Sequence, residues 1–405
     1  MFLLDLLLLL ASCCSPVQSE TTTKTYHTTI VGAGAAGLAA SYTLLNDGGV
    51  PFQDIIILEA SERLGGRVWK DTTFTNSELA LELGGSFVQY PSAIARIMRE
   101  SDPSRNLRRP ADTGLPTFSN NYTYWDFLND HIAPKRQDAM IQYHCRVNRV
   151  DYQNDSVIST CEDGRSFRSD HAIVTVPLPI LQDGDINFQP PLPDSMTINH
   201  PGSMWQGIKV FLEFNNDFFN GFCLEELGVC LNMKGENLFW DFTSVNAGFL
   251  TSGNTMMAGF ILGDQSEPYI GLEDEQILQK VLAMLDNEFN ARASMHYVRG
   301  FVWNWSADQN FRGTLSSCGY DCSGDNPSGA QNIKDKVWIA GEAFPIDGEN
   351  GWVDAGAFSG DDAAKEILLL SKGVAVPSGL FWDRVQSDVT ASPTAAPTNG
   401  TVLWP

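Results

Sequence analysis

Three glycines, Gly32, Gly34 and Gly37, follow directly on the apolar run Thr28-Thr29-Ile30-Val31 and open an Ala/Leu-rich stretch. Glycines at that spacing bind the diphosphate of a dinucleotide. Gly32 permits a sharp bend out of a strand, and Gly34 lets the main chain approach a pyrophosphate with no side chain between. Gly37, with the small Ala36 beside it, lets a helix lie close on the sheet. The free N–H groups of the helix start attract phosphate charge. Glu59 stands about 20 residues beyond the last of these glycines, where a carboxylate accepts ribose hydroxyls. Arg67 follows Gly65-Gly66 and offers a planar fork to phosphate oxygens. The glycines alone leave NAD and FAD both open.

For these residues to meet, the chain needs a strand–helix–strand unit. The pattern predicts a strand at Thr28–Val31, a helix at Ala35–Asn46 stopped by Gly48-Gly49, and a buried strand at Asp54–Leu58 that delivers Glu59. At 405 residues the chain is long for one core and reads as two intimately joined domains. Its 43% hydrophobic and 19% charged content are those of a soluble globular protein. A formal charge of −23 argues against nucleic acid and an anionic membrane as partners and favours a cationic substrate. Six scattered histidines show no paired spacing, so no metal is expected.

Residues Met1–Ser19 read as a secretory signal, with the apolar run Phe2–Ala11 and small residues Val17 and Ser19 before a cut at Glu20. That run is too short to span a bilayer. Of eight cysteines, Cys13 and Cys14 leave with the signal, and the remaining even number suits an oxidising compartment. Cys145 and Cys161 are equidistant from Gln153, in a hairpin turning near Gln153-Asn154-Asp155, so they are expected to face each other as a disulfide. Cys223 with Cys230 and Cys318 with Cys322 are the other local pairs. Asn121, Asn154 and Asn399 are loop-like glycan acceptors, whereas Asn304 lies in an apolar strand. A secreted glycoprotein is the expectation.

Directly after Glu59 comes Ala60-Ser61-Glu62-Arg63-Leu64-Gly65-Gly66-Arg67-Val68, which resembles the extension found in flavin-dependent amine oxidases. Leu79-Ala80-Leu81-Glu82-Leu83-Gly84-Gly85-Ser86-Phe87-Val88 is similar to that family's segment beneath the flavin. The hairpin Tyr143–Cys161 and the run His171–Leu181 resemble the return of the chain to the FAD domain. Lys336–Phe344 and Gly351–Gly360 are similar to the closing signature. The chain is therefore identified as a member of this family, closest to the polyamine oxidases. The resemblance implies a non-covalent FAD, because Thr314 stands where monoamine oxidases carry the cysteine that bonds the flavin. It implies that Arg67 runs beside the diphosphate and that Gly84, Gly85 and Ser86 approach the ring. It places the Val147 backbone at the adenine, and Gly341 and Glu342 at the ribityl chain. Trp352 and Val353 precede a helix, expected at Asp361–Leu370, whose N–H groups hold negative charge.

Lys209, in Gly207-Ile208-Lys209-Val210-Phe211-Leu212-Glu213-Phe214, matches the family's lysine that holds a water against flavin N5. Lysines on apolar strands usually snorkel to the surface, and the resemblance reverses that expectation. Burial should lower its pKa. Glu82 is expected either near the substrate entrance or bonded to nearby backbone N–H groups. Trp352 matches one of two aromatics that sandwich the amine, and Leu315 takes the other place. Lys209, Glu82 and Trp352 are thus the candidate catalytic residues. The implied reaction removes hydride from a small-molecule amine, with O2 as final acceptor, giving imine and peroxide.

The implied fold is α/β: a Rossmann-like FAD-binding domain at 25–90, 141–185 and 330–375, with a mixed-sheet substrate domain at 91–140 and 186–329 interleaved. Ser92–Glu100 reads as a helix, after which the chain to Gln142 is irregular, polar and much shorter than the family's helical roof. Strands are predicted at Gly207–Phe214, Asn237–Thr243, Thr255–Leu262 and His296–Trp303, and an amphipathic helix at Glu273–Phe289. Residues 390–405 form a Pro/Thr-rich tail unable to bury a core. The short roof leaves room for a non-catalytic FAD-binding protein. An L-amino-acid oxidase would need a carboxylate-binding arginine, and an NAD dehydrogenase is the remote alternative.

Overall fold

The computed structural model describes residues 21–87, 107–108, 117–118, 121–219, 231–233, 237–245, 250–317, 329–344 and 350–374. The signal, the helix expected at Ser92–Glu100, the tail, Asn399 and the pairs Cys223–Cys230 and Cys318–Cys322 lie outside them. Elements that build the site are, in chain order, strand β1 (Thr21–Val31), helix α1 (Ala35–Asn46), strands β2 (Ile55–Leu58) and β3 (Leu81–Glu82), and helix α2 (Tyr124–Phe127). Strands β4 (Ile141–Gln142), β5 (Val147–Asp151), β6 (Val157–Cys161), β7 (Ser166–Val174) and β8 (Gly207–Phe214) follow. Then come β9 (Asn237–Asp241), β10 (Thr255–Leu262), helix α3 (Asp274–Phe289), β11 (Tyr297–Asn304), β12 (Leu315–Ser317), β13 (Val337–Ile339) and helix α4 (Val353–Ser371).

The first sheet has a parallel heart in the order β4-β2-β1-β7-β13. Where these strands pair they are apolar, Ile30-Val31, Ile55–Leu58, Ala172–Val174 and Val337–Ile339, as a sheet covered on both faces requires. Ile55, Ile56, Ile57 and Leu58 of β2 are all buried. Helices α1 and α4 cover one face with Leu38, Leu44, Ala363, Ala364 and Ile367. The hairpin β5-β6 is antiparallel to the first half of β7. The second sheet, β9-β10-β8-β11, is antiparallel, with a short strand outside β9. Alternation along β8 sends Ile208, Val210, Leu212 and Phe214 to α3 and turns Lys209 and Phe211 the other way. The mixed α/β architecture is the one expected. Among the described residues no helix is long and apolar enough to cross a membrane.

Four local expectations change. Helix α4 starts at Val353, well before Asp361, because Gly356 and Gly360 are packing residues inside it and not a loop. A Cβ on Gly360 would stand 1.9 Å from the Ala36 carbonyl oxygen, and one on Gly356 would meet Glu342. Gly360→Ala is therefore expected to destabilise the fold by about 1–3 kcal/mol through overpacking. Thermal unfolding checks this, and an unchanged midpoint would mean that α1 and α4 do not touch there.

The hairpin register also differs. Cys161 pairs with Val147, and an extra residue at Asn148 shifts the ladder before Arg149. Cys145 reaches Cys161 from just outside the strand, with Cα atoms 5.3 Å apart and the sulfurs joined. Residues 123–140, expected to be polar and irregular, instead bury Tyr124, Phe127, Leu128, Ile132 and Met140 against α1 and the first sheet. That part packs with the dinucleotide-binding half, not with the second sheet. Finally, the first sheet extends past residue 185, since Asn187–Gln189 adds a strand to β5. Of the glycan sites, Asn154 is exposed in its turn, while Asn121 donates its amide to the Glu78 carbonyl.

Candidate active site

At the end of β1 the chain turns through Gly32, whose φ of +106° only glycine holds without strain. A Cβ on Gly37 would sit 2.0 Å from the Gly32 carbonyl oxygen, so this glycine sets the helix–strand contact. Gly34 is different. A Cβ there would meet only the Cα of Gly66, at 3.9 Å, so the space above it is free of protein. Gly34 is also the N-cap of α1, no side chain caps that helix, and its first turn carries no acid. Uncapped N–H groups beside an open cradle suit a diphosphate.

Glu59 is buried, and its carboxylate is held by three donors. The Ala33 N–H meets Oε2 at 2.7 Å, while the Ser61 N–H and hydroxyl meet Oε1 at 2.8 and 2.7 Å. The Cys145 N–H donates to the Glu59 carbonyl, which brings Val147 next to this edge, its own side chain in the core. Gly65 and Gly66 both have positive φ, and Gly65 donates to the Ala33 carbonyl. Arg67 Nη1 forms an ion pair with Glu342 at 2.8 Å and donates to the Thr314 carbonyl at 2.9 Å. Glu342 also accepts from the Gly351 N–H at 2.9 Å and from the Ser316 N–H and hydroxyl. The two residues expected along one ligand thus meet each other, and Gly341 beside them (φ +139°) has no protein atom within 4 Å of an added Cβ. The uncapped helix start and the two open glycines fit a dinucleotide, which Gly34, Glu59, Gly341 and Glu342 would hold.

Lys209 lies on β8 between Trp303 of β11 and Phe260 of β10. It is 3% exposed, and its ammonium donates to the Glu82 carbonyl at 2.9 Å, the Gly84 carbonyl at 2.6 Å and the Ser86 hydroxyl at 2.9 Å. The rings of Trp240 and Phe260 stand 5.5 Å from Nζ. Neither aromatic is visible as a site residue in the sequence, because only the strand pairing places them beside Lys209. Desolvation pushes the lysine down to about 8, opposed by the charge of Glu82.

Glu82 does not face an entrance. It is 4% exposed and accepts the Tyr124 N–H at 3.0 Å, which is the backbone-bonded arrangement of the two expected. Burial pushes it up to about 7, against that hydrogen bond and Lys209. A raised carboxyl pKa means that the folded state keeps a proton which the unfolded chain releases above its ordinary 4.5. The stability this contributes is full at low pH and lost as pH climbs through about 7. Glu82→Gln should flatten that decline, measured as urea midpoints between these pH values; an unaltered slope would assign it to other groups.

Gly84 and Gly85 are chain–chain contacts before anything else. A Cβ on Gly84 would stand 1.7 Å from the Arg67 carbonyl oxygen, and one on Gly85 2.4 Å from Val353 Cγ2. Residues 82–86 therefore touch Lys209, the Arg67 segment and the start of α4 at once. Trp305, itself buried, fixes this segment by donating to the Leu83 carbonyl at 2.7 Å. Trp352 is half-buried as the N-cap of α4, and Leu315 packs at its neighbour Gly351. Thr314 spends its hydroxyl on the Trp205 carbonyl.

A family profile described as flavin containing amine oxidoreductase matches residues 35–129 and 125–368. Lysine-specific histone demethylase 2 of Homo sapiens is 26% identical over 79% of this chain and 51% of its own length. Peroxisomal N(1)-acetyl-spermine/spermidine oxidase of Bos taurus is 27% identical over 46% of this chain and 40% of its own. The chain spans about half the length of the mammalian demethylases it matches. Cyclohexylamine oxidase from Brevibacterium oxydans IH-35A shares the fold with a TM-score of 0.65 at 15% identity, covering 86% of this chain and 100% of that one. Putrescine oxidase bound to putrescine does so with 0.61 at 15% identity, over 85% and 99%. With the profile running from residue 35 to residue 368 and the dinucleotide cradle in place, the chain belongs to the flavin-containing amine oxidoreductases, and the cofactor that this family and this cradle imply is FAD.

Proposed function

We propose that this chain oxidises a polyamine-like amine and passes the electrons to O2. The observation that carries the reading is Lys209, a buried amine with a lowered pKa, held against the same 82–86 segment that meets Val353 at the start of α4. FAD supplies the hydride acceptor. The amine loses a hydride from the carbon next to nitrogen and a proton from the nitrogen to become an imine; water hydrolyses the imine to aldehyde and amine; O2 takes two electrons and two protons to become peroxide.

The chain's own part is orientation and proton handling. Lys209 in its neutral form holds a water or takes a proton, and Trp240, Phe260 and Trp303 keep bulk solvent from it. Trp352 offers one aromatic face to the substrate cation. The charge of −23 draws cationic amines towards the protein. The visible spectrum of the purified protein, recorded before and after anaerobic addition of spermine, spermidine, N-acetylated polyamines, a methyl-lysine peptide and L-amino acids, tests this. Bleaching with a polyamine supports the reading, and bleaching with another amine moves the substrate.

One observation favours a second reading, a flavoprotein without turnover. All three ammonium protons of Lys209 are accepted by protein atoms, Glu82 O, Gly84 O and Ser86 Oγ, which leaves none for a water. A yellow protein that no amine bleaches would establish it. We also propose secretion, supported by the Cys145–Cys161 link and by the leader-like start. Recovery of folded protein from medium, with a mass gain only after reduction and alkylation, checks that.

A further inference from the structure

Tyr124 stands outside the FAD signature and outside the lysine's own contacts, yet it touches both ends of the site. Its side chain is 0% exposed, and its hydroxyl donates to Asp354 Oδ1 at 2.9 Å, in the first turn of α4. Its main-chain N–H donates to the Glu82 carboxylate at 3.0 Å. The main-chain carbonyl of that same Glu82 accepts Lys209. One residue thus joins two acids that are 4% and 1% exposed and lie far apart in sequence. Buried acids persist only where donors hold them, and such strings act as units.

The geometry points to Tyr124 as the positioning residue of the lysine site: held by Asp354, it keeps its N–H on Glu82 and so fixes the charge and the acceptors that Lys209 meets. This rests on Lys209 being at the reacting centre. The groups that face Glu82 are Tyr124, Lys209, Asp126 and Lys70, and the last two pair with each other at 2.5 Å. Those that face Tyr124 are Asp354 and Glu82. The Tyr124 N–H favours ionised Glu82, and ionised Glu82 favours the charged lysine. Loosening Tyr124 should therefore neutralise Glu82 and lower the lysine further.

The test uses FAD-loaded protein carrying 13Cε-lysine, with the Lys209 signal assigned by its loss in Lys209→Met. In Tyr124→Phe the Lys209 titration midpoint is expected to fall by about half a pH unit or more. Asp354→Leu, which removes the acceptor and leaves the tyrosine intact, should give the same fall, and the double variant no further one. A lower melting temperature with an unmoved or raised midpoint would overturn the proposal. If the midpoint falls as expected while Lys209→Met still oxidises amines, Tyr124 positions the lysine but the active-site reading fails.

Discussion

Replacing Lys209 with methionine is expected to slow amine oxidation by about 10²- to 10⁴-fold, the usual cost of losing a positioned acid–base group. Methionine keeps an unbranched chain among Trp240 and Phe260, so the aromatic pocket stays filled while the amine is lost. The pH dependence separates this from simple misfolding. With its pKa pushed down to about 8 by burial, the lysine gains its neutral form as pH rises through that value. The rate of flavin reduction in the native protein should climb across the same window, and the climb should vanish in Lys209→Met. Lys209→Arg should not restore it, because a guanidinium stays protonated. Anaerobic stopped-flow reduction at several pH values provides the measurement. A variant within roughly threefold of the native rate would place Lys209 outside the chemistry.

Much of this site was legible because its parts are local. The glycines, α1 and Glu59 occupy one short strand–helix–strand stretch, and each obeys a rule of bend, close approach or charge that sequence displays directly. Strands β8 and β10 are predominantly apolar runs that end where expected, at Gly207–Phe214 and Thr255–Leu262. What escaped was set by contacts between distant segments. Gly356 and Gly360 look like loop residues until Ala36 is known to lie against the helix they belong to. Gly84 and Gly85 read as room for a ligand, yet each already faces another part of the chain, Arg67 and Val353. Asn148 is an ordinary strand residue by type, and only the pairing with β6 makes it a bulge. Tyr124 begins a helix of four residues, too short for periodicity to show, and its partners Glu82 and Asp354 come from opposite ends of the chain.

The glycines Gly34 and Gly37 should part company when each is changed to alanine, and the contrast tests the cofactor cradle more sharply than either alone. Gly37→Ala drives a methyl to 2.0 Å from the Gly32 carbonyl oxygen and 3.1 Å from Ile30 Cγ2. Both obstacles belong to β1 and its turn, which β2 and β7 hold on either side, so the cost should reach the upper end of roughly 1–3 kcal/mol or exceed it. That loss should appear in the protein stripped of FAD, as a lower urea midpoint. Gly34→Ala meets nothing closer than Gly66 Cα at 3.9 Å, and its extended φ of −76° suits alanine. An alanine N-cap costs about 1 kcal/mol or less here, so the stripped protein should unfold almost as before. The methyl would instead fill the space that the diphosphate needs, and FAD affinity should drop by about 100-fold, or about 2.7 kcal/mol. Titration of each stripped variant with FAD, followed by quenching of flavin fluorescence, reads the difference. Native affinity in Gly34→Ala would mean that the phosphates pass elsewhere, because no rearrangement of protein could absorb a group already in open space.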